Sequence, residues 1–254
     1  MKSLEFIILS IFVLFLGVIT FVTDIFPEGN KDLRAETRWA EGFDQISSSG
    51  DYKVIVKHGD NYQVEVKAES NLLPYIETVV VDHTLKIKTR GLRNLLQNYP
   101  IEVFITTPVL RGLFQSGSGM IKTGRFESEE FRLTVSGSGD IDTQVSTDQL
   151  IAHISGSGNI YLEGDAKEGR FVISGSGKIK SYQAQQRNCE AIIFGSGNMY
   201  VNTLETIDAR ISGSGKILYI NNPIVSKNIY GSGDVFDMNG KDYVDLQRIA
   251  RIGQ

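Results

Sequence analysis

The sequence predicts an all-β solenoid of stacked parallel rungs, preceded by an N-terminal transmembrane helix or signal. Three observations carry that expectation. The tripeptide Gly-Ser-Gly occurs seven times, with first glycines at Gly117, Gly137, Gly156, Gly175, Gly195, Gly213 and Gly231. The spacings are 20, 19, 19, 20, 18 and 18 residues, and a period near 20 marks a stacked repeat architecture. Apolar residues alternate on both sides of each tripeptide, a period of two that belongs to β-strands. Finally, Phe6 to Val22 is an unbroken run without a charge.

As a helix that run spans about 26 Å, just enough for a thin or slightly deformed bilayer. Lys2 precedes it, whereas Asp24 and Glu28 follow. This asymmetry favours a cytoplasmic N-terminus and an exported remainder, although Glu5 works against it. The first Ala is Ala35, so no small-residue cleavage site follows the run. An uncleaved signal anchor and a cleaved signal peptide both stay open for residues 1–23. The only Cys is Cys189, which excludes lipid attachment near the N-terminus and an intramolecular disulfide. Residues 24–38 are polar and mixed in charge, and read as a linker.

From Trp39 to Leu113 the strict tripeptide is missing but strand patterning persists. Tyr52, Val54 and Val56 alternate with polar or outward neighbours, as do Val64 and Val66, Leu85 and Ile87, and Ile101, Val103 and Ile105. Ser49-Gly50-Asp51 has the form of a degenerate corner. Leu92 to Tyr99 reads as a helical turn or a loop.

In the repeats, Gln115, Val135, Ile154, Ile173, Ile193, Ile211 and Ile229 stand two residues before each tripeptide. Ile121, Ile141, Ile160, Ile179, Met199, Ile217 and Val235 stand two residues after it. Each unit is therefore a strand, a corner and another strand, closed by a second turn such as Glu163 to Gly169 or Asn221 to Pro223. One unit cannot bury its inner face, but stacked units can, and seven rungs give a column of about 34 Å. The second corner glycines are Gly119, Gly139, Gly158, Gly177, Gly197, Gly215 and Gly233. Glycine at both positions tolerates positive φ and leaves no Cβ to strike the next rung. The serine between them suits a hydroxyl ladder, and the residue before them, Phe194 or Tyr230 in two copies, should face solvent. Residues 241–254 are too polar to continue the repeat. Leu246, Ile249 and Ile252 at spacing three predict a short capping helix, with a frayed tail as the rival.

Composition narrows the chemistry. A net charge of −4 argues against a nucleic-acid partner. Gly177-Lys178 and Gly215-Lys216 lack the Ser or Thr and the helix of a phosphate loop, so no nucleotide cofactor is expected. The residue after each tripeptide is Met120, Asp140, Asn159, Lys178, Asn198, Lys216 or Asp234, and a Ca²⁺ ladder would not mix lysines with carboxylates. No catalytic, metal or cofactor residue is assigned. Asp140 and Asp142 share a rung, but the next rung offers Asn159 and Tyr161, a poor basis for a glycosidase pair. His153 should point outward and Cys189 inward. The outer position after the inward apolar residue is more distinctive: Lys122, Asp142, Tyr161, Lys180, Tyr200, Leu218 and Phe236. Tyr182, Asn202, Ile220 and Met238 follow two residues later. Tyr161, Lys180, Tyr182, Tyr200, Leu218 and Phe236 form the candidate binding ladder, since aromatics on a flat β face stack on sugar rings or bury against a partner. Cross-rung stacking alone is the competing reading.

The run of corners resembles the head GIN domain of bacterial putative auto-transporter adhesins. The segment Phe43 to Asp51 (FDQISSSGD) is similar to that family's opening, and Asn228 to Gly240 (NIYGSGDVFDMNG) to its final rung. The resemblance covers about residues 39–240 and implies a parallel, right-handed β-helix-like fold with no catalytic residues to carry over. No C-terminal membrane barrel pattern follows the repeats. The expected function is a non-catalytic, envelope-anchored binding or structural module, periplasmic or surface-facing. It is held to the membrane through residues 6–22, with a carbohydrate or a protein as ligand. The alternatives are a carbohydrate-active enzyme on the same scaffold and a homo-oligomeric scaffold or sensor component.

Overall fold

The computed structural model describes residues 26–91 and 94–239. The apolar run 6–22 and the expected cap 241–254 lie outside them. Sixteen strands follow one another with no α-helix among the described residues. They are β1 (Leu33–Arg38), β2 (Gln45–Ser49), β3 (Tyr52–His58), β4 (Gln63–Glu69), β5 (Ile76–Val81), β6 (Thr84–Thr89), β7 (Ile101–Thr107) and β8 (Gly112–Gly117). Then come β9 (Met120–Gly137), β10 (Asp140–Gly156), β11 (Asn159–Gly175), β12 (Lys178–Gly195), β13 (Asn198–Gly213), β14 (Lys216–Ile220), β15 (Ile224–Tyr230) and β16 (Asp234–Asp237).

From β8 onward the fold is the expected parallel solenoid. Each strand pairs in parallel with the one a rung earlier, and the corner glycines align: Gly117 with Gly137, Gly137 with Gly156, and Gly156 with Gly175. The first half of β9 lies on β3 and its second half on β8, so one long strand runs between two corners. An expected second turn is absent here. Glu163 to Gly169 belongs to the unbroken strand β11, which takes a positive φ of 111° at Gly164 and keeps its pairing to β10 on both sides of Lys167. The second turn does exist at Asn221 to Pro223, between β14 and β15. Asn221 takes φ 74°, and Pro223 has no N–H to donate to a ladder.

The interior consists of side-chain columns. Ile121, Ile141, Ile160, Ile179, Met199 and Ile217 form one, and Val135, Ile154, Ile173, Ile193 and Ile211 another, all buried. Leu133, Ala152, Phe171, Ala191 and Ala209 form a third, in which small residues make room for Phe171. Thr123 and Thr143, also inward, satisfy one another through a 2.6 Å hydroxyl bond.

The N-terminal rungs are woven out of sequence order. On one face the order is β1-β4-β7-β3-β9, and on the other β5-β6-β2-β8. Gly50 occupies the degenerate corner, directly beneath the stack: its N–H donates to Ser116 O and its carbonyl accepts from Gly119 N. Strands β1, β4 and β5 then run antiparallel to their neighbours and end the parallel ladder. Between β4 and β5 the corner is a 3-10 helix, Leu73–Tyr75. The described part of the Leu92–Tyr99 stretch is a loop, bridged to Glu28 at Leu96. The second half of the segment read as a linker forms β1.

Neither corner glycine has room for a Cβ, which on Gly156 would strike Gly137 O, and the first carries a backbone constraint as well. The first adopts positive φ throughout, from 100° at Gly117 to 132° at Gly175. The second is not in that region, and a Cβ on Gly177 would sit 2.5 Å from Gly158 O and 2.7 Å from Ile154 Cγ2. Each first-glycine carbonyl accepts backbone N–H bonds from the next corner, as Gly137 O does from Ser157 (2.8 Å) and Gly158 (3.0 Å). The middle serines 118, 138, 157, 176, 196, 214 and 232 are exposed, and the N–H groups of Ser138, Ser157, Ser176, Ser196 and Ser214 donate to the glycine carbonyl of the preceding corner. Phe194 and Tyr230 face solvent as expected.

Candidate functional site

The outer ladder is a true line across the rungs. Asp142 pairs with Lys122 and Tyr161, Tyr161 with Lys180, Lys180 with Tyr200, Tyr200 with Leu218, and Leu218 with Phe236. From Asp142 to Phe236 every member is half-buried. Lys122 Nζ donates to Asp142 at 2.6 Å, and Lys180 Nζ lies 5.0 Å from the centre of the Tyr161 ring. Tyr182 and Tyr200 meet edge to face at 5.6 Å, and Lys216 Nζ stands 5.9 Å from the Phe236 ring. Cross-rung contacts are thus made at Lys122–Asp142 and Tyr161–Lys180, while Tyr182 and Lys216 pack against the Tyr200 and Phe236 rings.

Tyr182 departs from the expected geometry. It is not aligned with Asn202, because Ser181 pairs with Val201 and Gln185 with Asn202, so Tyr182 to Ala184 bulge from β12. The cause is length: β12 has 18 residues and β13 has 16. The buried Gln186 amide donates to Ser181 Oγ (2.7 Å) and to Ala184 O, closing the bulge from inside. Tyr182 O accepts from Asn202 Nδ2 at 2.8 Å, and Asn221 Nδ2 donates to Asn202 Oδ1 at 2.6 Å. The signal for the bulge was the change in corner spacing from 20 to 18.

Burial raises the Tyr161, Tyr182 and Tyr200 phenols above their ordinary value, with the Asp140 and Asp142 charges adding to the shift at Tyr161. The rings therefore stay neutral at any physiological pH. Burial, and then the neighbouring Lys178, lowers Lys180. The Tyr182 hydroxyl is shut from solvent without a hydrogen-bond partner.

The other sequence candidates have structural partners. Asp140 Oδ1 accepts from Asn159 N (3.0 Å) and Asn159 Nδ2 (2.8 Å), tying two rungs at the corner. Asp142 is held by Lys122. Cys189 is buried, and desolvation pushes its thiol up to about 12, away from nucleophile chemistry. His153 is half-exposed between buried Ala152 and Ile154. Among the described residues no cluster of three or more His, Cys, Asp or Glu is placed to hold a metal. Elsewhere on the second half of the rungs, Glu190 bridges Arg170 (2.5 Å) and Arg210 (3.3 Å), an ion-paired surface unlike the ladder.

The family model for "Putative auto-transporter adhesin, head GIN domain" (DUF2807) matches residues 42–223. The chain belongs to this family. Its head GIN fold is shared by solved structures. A putative adhesin from Bacteroides fragilis is similar at TM-score 0.79 and 23% identity, over 83% of this chain and 99% of that one. A putative lipid binding protein from Parabacteroides distasonis gives 0.73 and 24%, over 84% and 100%. A putative adhesin from Parabacteroides merdae gives 0.67 and 21%, over 84% and 99%. At these identities the likeness concerns the fold. No curated protein matches the chain.

Proposed function

We propose that this head GIN chain is a non-catalytic binding module, tethered to a bacterial envelope membrane through residues 6–22. Its ladder face would take a carbohydrate or protein ligand. The observation that carries the reading is the in-register row Tyr161–Lys180–Tyr200–Leu218–Phe236, with Tyr182 docked on Tyr200. It presents neutral rings and aliphatic groups, pre-set by their own packing, on one side of a rigid column. Pre-set rings lose little rotamer freedom when a ligand arrives. The description of similar folds as adhesins or a lipid-binding protein agrees with a binding role. The interior columns are filled by side chains, so a ligand would meet the outside of the solenoid.

Among the described residues no helix is long and apolar enough to cross a membrane. The tether is read from Phe6 to Val22 alone. The enzymatic alternative is disfavoured by Asp140 and Asp142, whose partners leave no opposed acid and base across a cleft. Binding to immobilised glycans and to extracellular-matrix proteins tests the ladder. The double variant Tyr161→Ala, Tyr200→Ala should lose at least about tenfold in affinity while staying folded, since aromatic anchors dominate such contacts. Unchanged binding by the folded variant would exclude this face.

A further inference from the structure

Away from the ladder, exposed apolar side chains gather at the N-terminal end of the column. We propose that this end is a bilayer-contacting surface, on which the solenoid stands upright against the lipid headgroups. The inference rests on the reading of residues 6–22 as the membrane tether, and adds how the folded domain is oriented on it.

Tether length is the first argument. The apolar run ends at Val22, and Phe26 and Pro27 already belong to the folded body: Leu96 N donates to Pro27 O (3.0 Å) and Gly29 N to Leu96 O (2.9 Å). Only Thr23, Asp24 and Ile25 intervene, so the reach from Val22 to Phe26 is at most about 14 Å. The segment is then pinned. Lys31 N donates to the Glu69 carboxylate at 2.7 Å, and Asn98 does so through its backbone and side chain at 2.8 and 3.0 Å. β1 continues antiparallel along β4. A domain fastened this close to the run has no slack to stand clear of the bilayer.

Side-chain chemistry is the second. Phe26, Leu33 and Leu96 are exposed around the Glu69 clamp, and Trp39 follows directly after the far end of β1 at 88% exposure. Trp39 is the only tryptophan in the chain. Exposed tryptophan beside a membrane segment suits the bilayer–water interface, where its ring is half apolar and its N–H stays wet. The charges between these apolar groups are matched: Arg34 with Asp32 (2.9 Å) and Arg38 with Glu36 (3.1 Å). Charge pairs along a free edge disfavour pairing with another strand. They also leave no cationic excess, so the contact is with the apolar boundary of the bilayer and not with anionic headgroups.

β1 is the outermost strand, and the strands run across the column axis. With β1 in the headgroup layer, Tyr161 on β11 stands about 29 Å away and Phe236 on β16 about 48 Å away. The ladder is thereby held clear of the membrane.

Trp39 provides its own probe in the full chain reconstituted into zwitterionic vesicles. The expected result is blue-shifted emission, quenching by a nitroxide at headgroup depth, and at least about threefold protection from aqueous iodide. Adding anionic lipid should change none of these. Phe26→Ser, Leu33→Ser and Leu96→Ser together should restore iodide access with an unchanged melting temperature. A chain that floats with the vesicles while Trp39 remains as open to iodide as a free tryptophan amide overturns the docking alone. A chain that fails to float overturns the tether and the docking with it.

Discussion

At Gly156 the backbone takes φ 127°, where an L side chain is strained whatever the space around it. Gly156→Ala should therefore cost about 1–3 kcal/mol from backbone strain, and the clash of its Cβ with Gly137 O adds to that. Gly177→Ala should also destabilise, here through crowding without a positive φ, because its Cβ meets Gly158 O and Ile154 Cγ2. Gly124→Ala is the control: nothing lies within 4 Å of its Cβ position, and its melting temperature should not fall. Equal tolerance at all three positions, by thermal unfolding, would remove the steric basis of the corner. The sequence pointed to both corner glycines but could not separate strain from crowding, since that depends on which atom of the neighbouring rung lies opposite. Glu69 was not visible at all, because its partners Lys31 and Asn98 approach it only through the fold. Burial raises the pKa of this 1%-exposed carboxyl, yet hydrogen bonds from Asn98, Lys31 and Tyr99 outweigh that, and the net shift is downward. Its contribution is then fully present above the unfolded value of about 4.3 and is lost as pH falls through the lower folded one. Glu69→Gln should reduce the melting temperature at pH 7, and the gap to the parent should narrow as pH approaches 3. A gap independent of pH would mean that the charge plays no part in the clamp.

Elements differ in how openly the sequence declares them. Strands β9 to β13 announce themselves through corners plus alternation, and the 20-to-18 spacing change even encodes the Tyr182–Ala184 bulge. Strands β1 to β7 show alternation only, which fixes inward and outward faces but not direction or neighbour. Hence the antiparallel returns of β4 and β5, and the insertion of the β2–β3 rung between β6–β7 and β8–β9, could not be read. Those returns close one end. At the other end β15 is largely exposed, with Ile224 and Tyr230 facing solvent, and β16 is only four residues long. An open parallel rung is a template for unwanted pairing. Residues 242–254 are proposed to cover it through Leu246, Ile249 and Ile252. Removing them should lower the melting temperature and increase aggregation. Unchanged values on both counts would show that the last rung needs no cover.

Over the whole molecule, a filled interior and a continuous hydrogen-bonded sheet from β1 to β16 make the column a rigid support for the proposed binding face. Rigidity would let the proposed tether at one end set the height of the ladder above it. That arrangement has meaning only if the domain is exported while residues 6–22 remain in the membrane. The chain is suited to testing this, because its single thiol, Cys189, is buried and resists deprotonation up to about pH 12. The parent should stay silent to a thiol reagent. Ser138, exposed at the second corner, accepts a small substitution without touching the core. The decisive measurement is labelling of Ser138→Cys by a membrane-impermeant maleimide in spheroplasts before and after lysis. Full labelling before lysis, on a band that remains in the carbonate-washed membrane, is the predicted result. Labelling that appears only after lysis would place the solenoid in the cytoplasm and contradict the account.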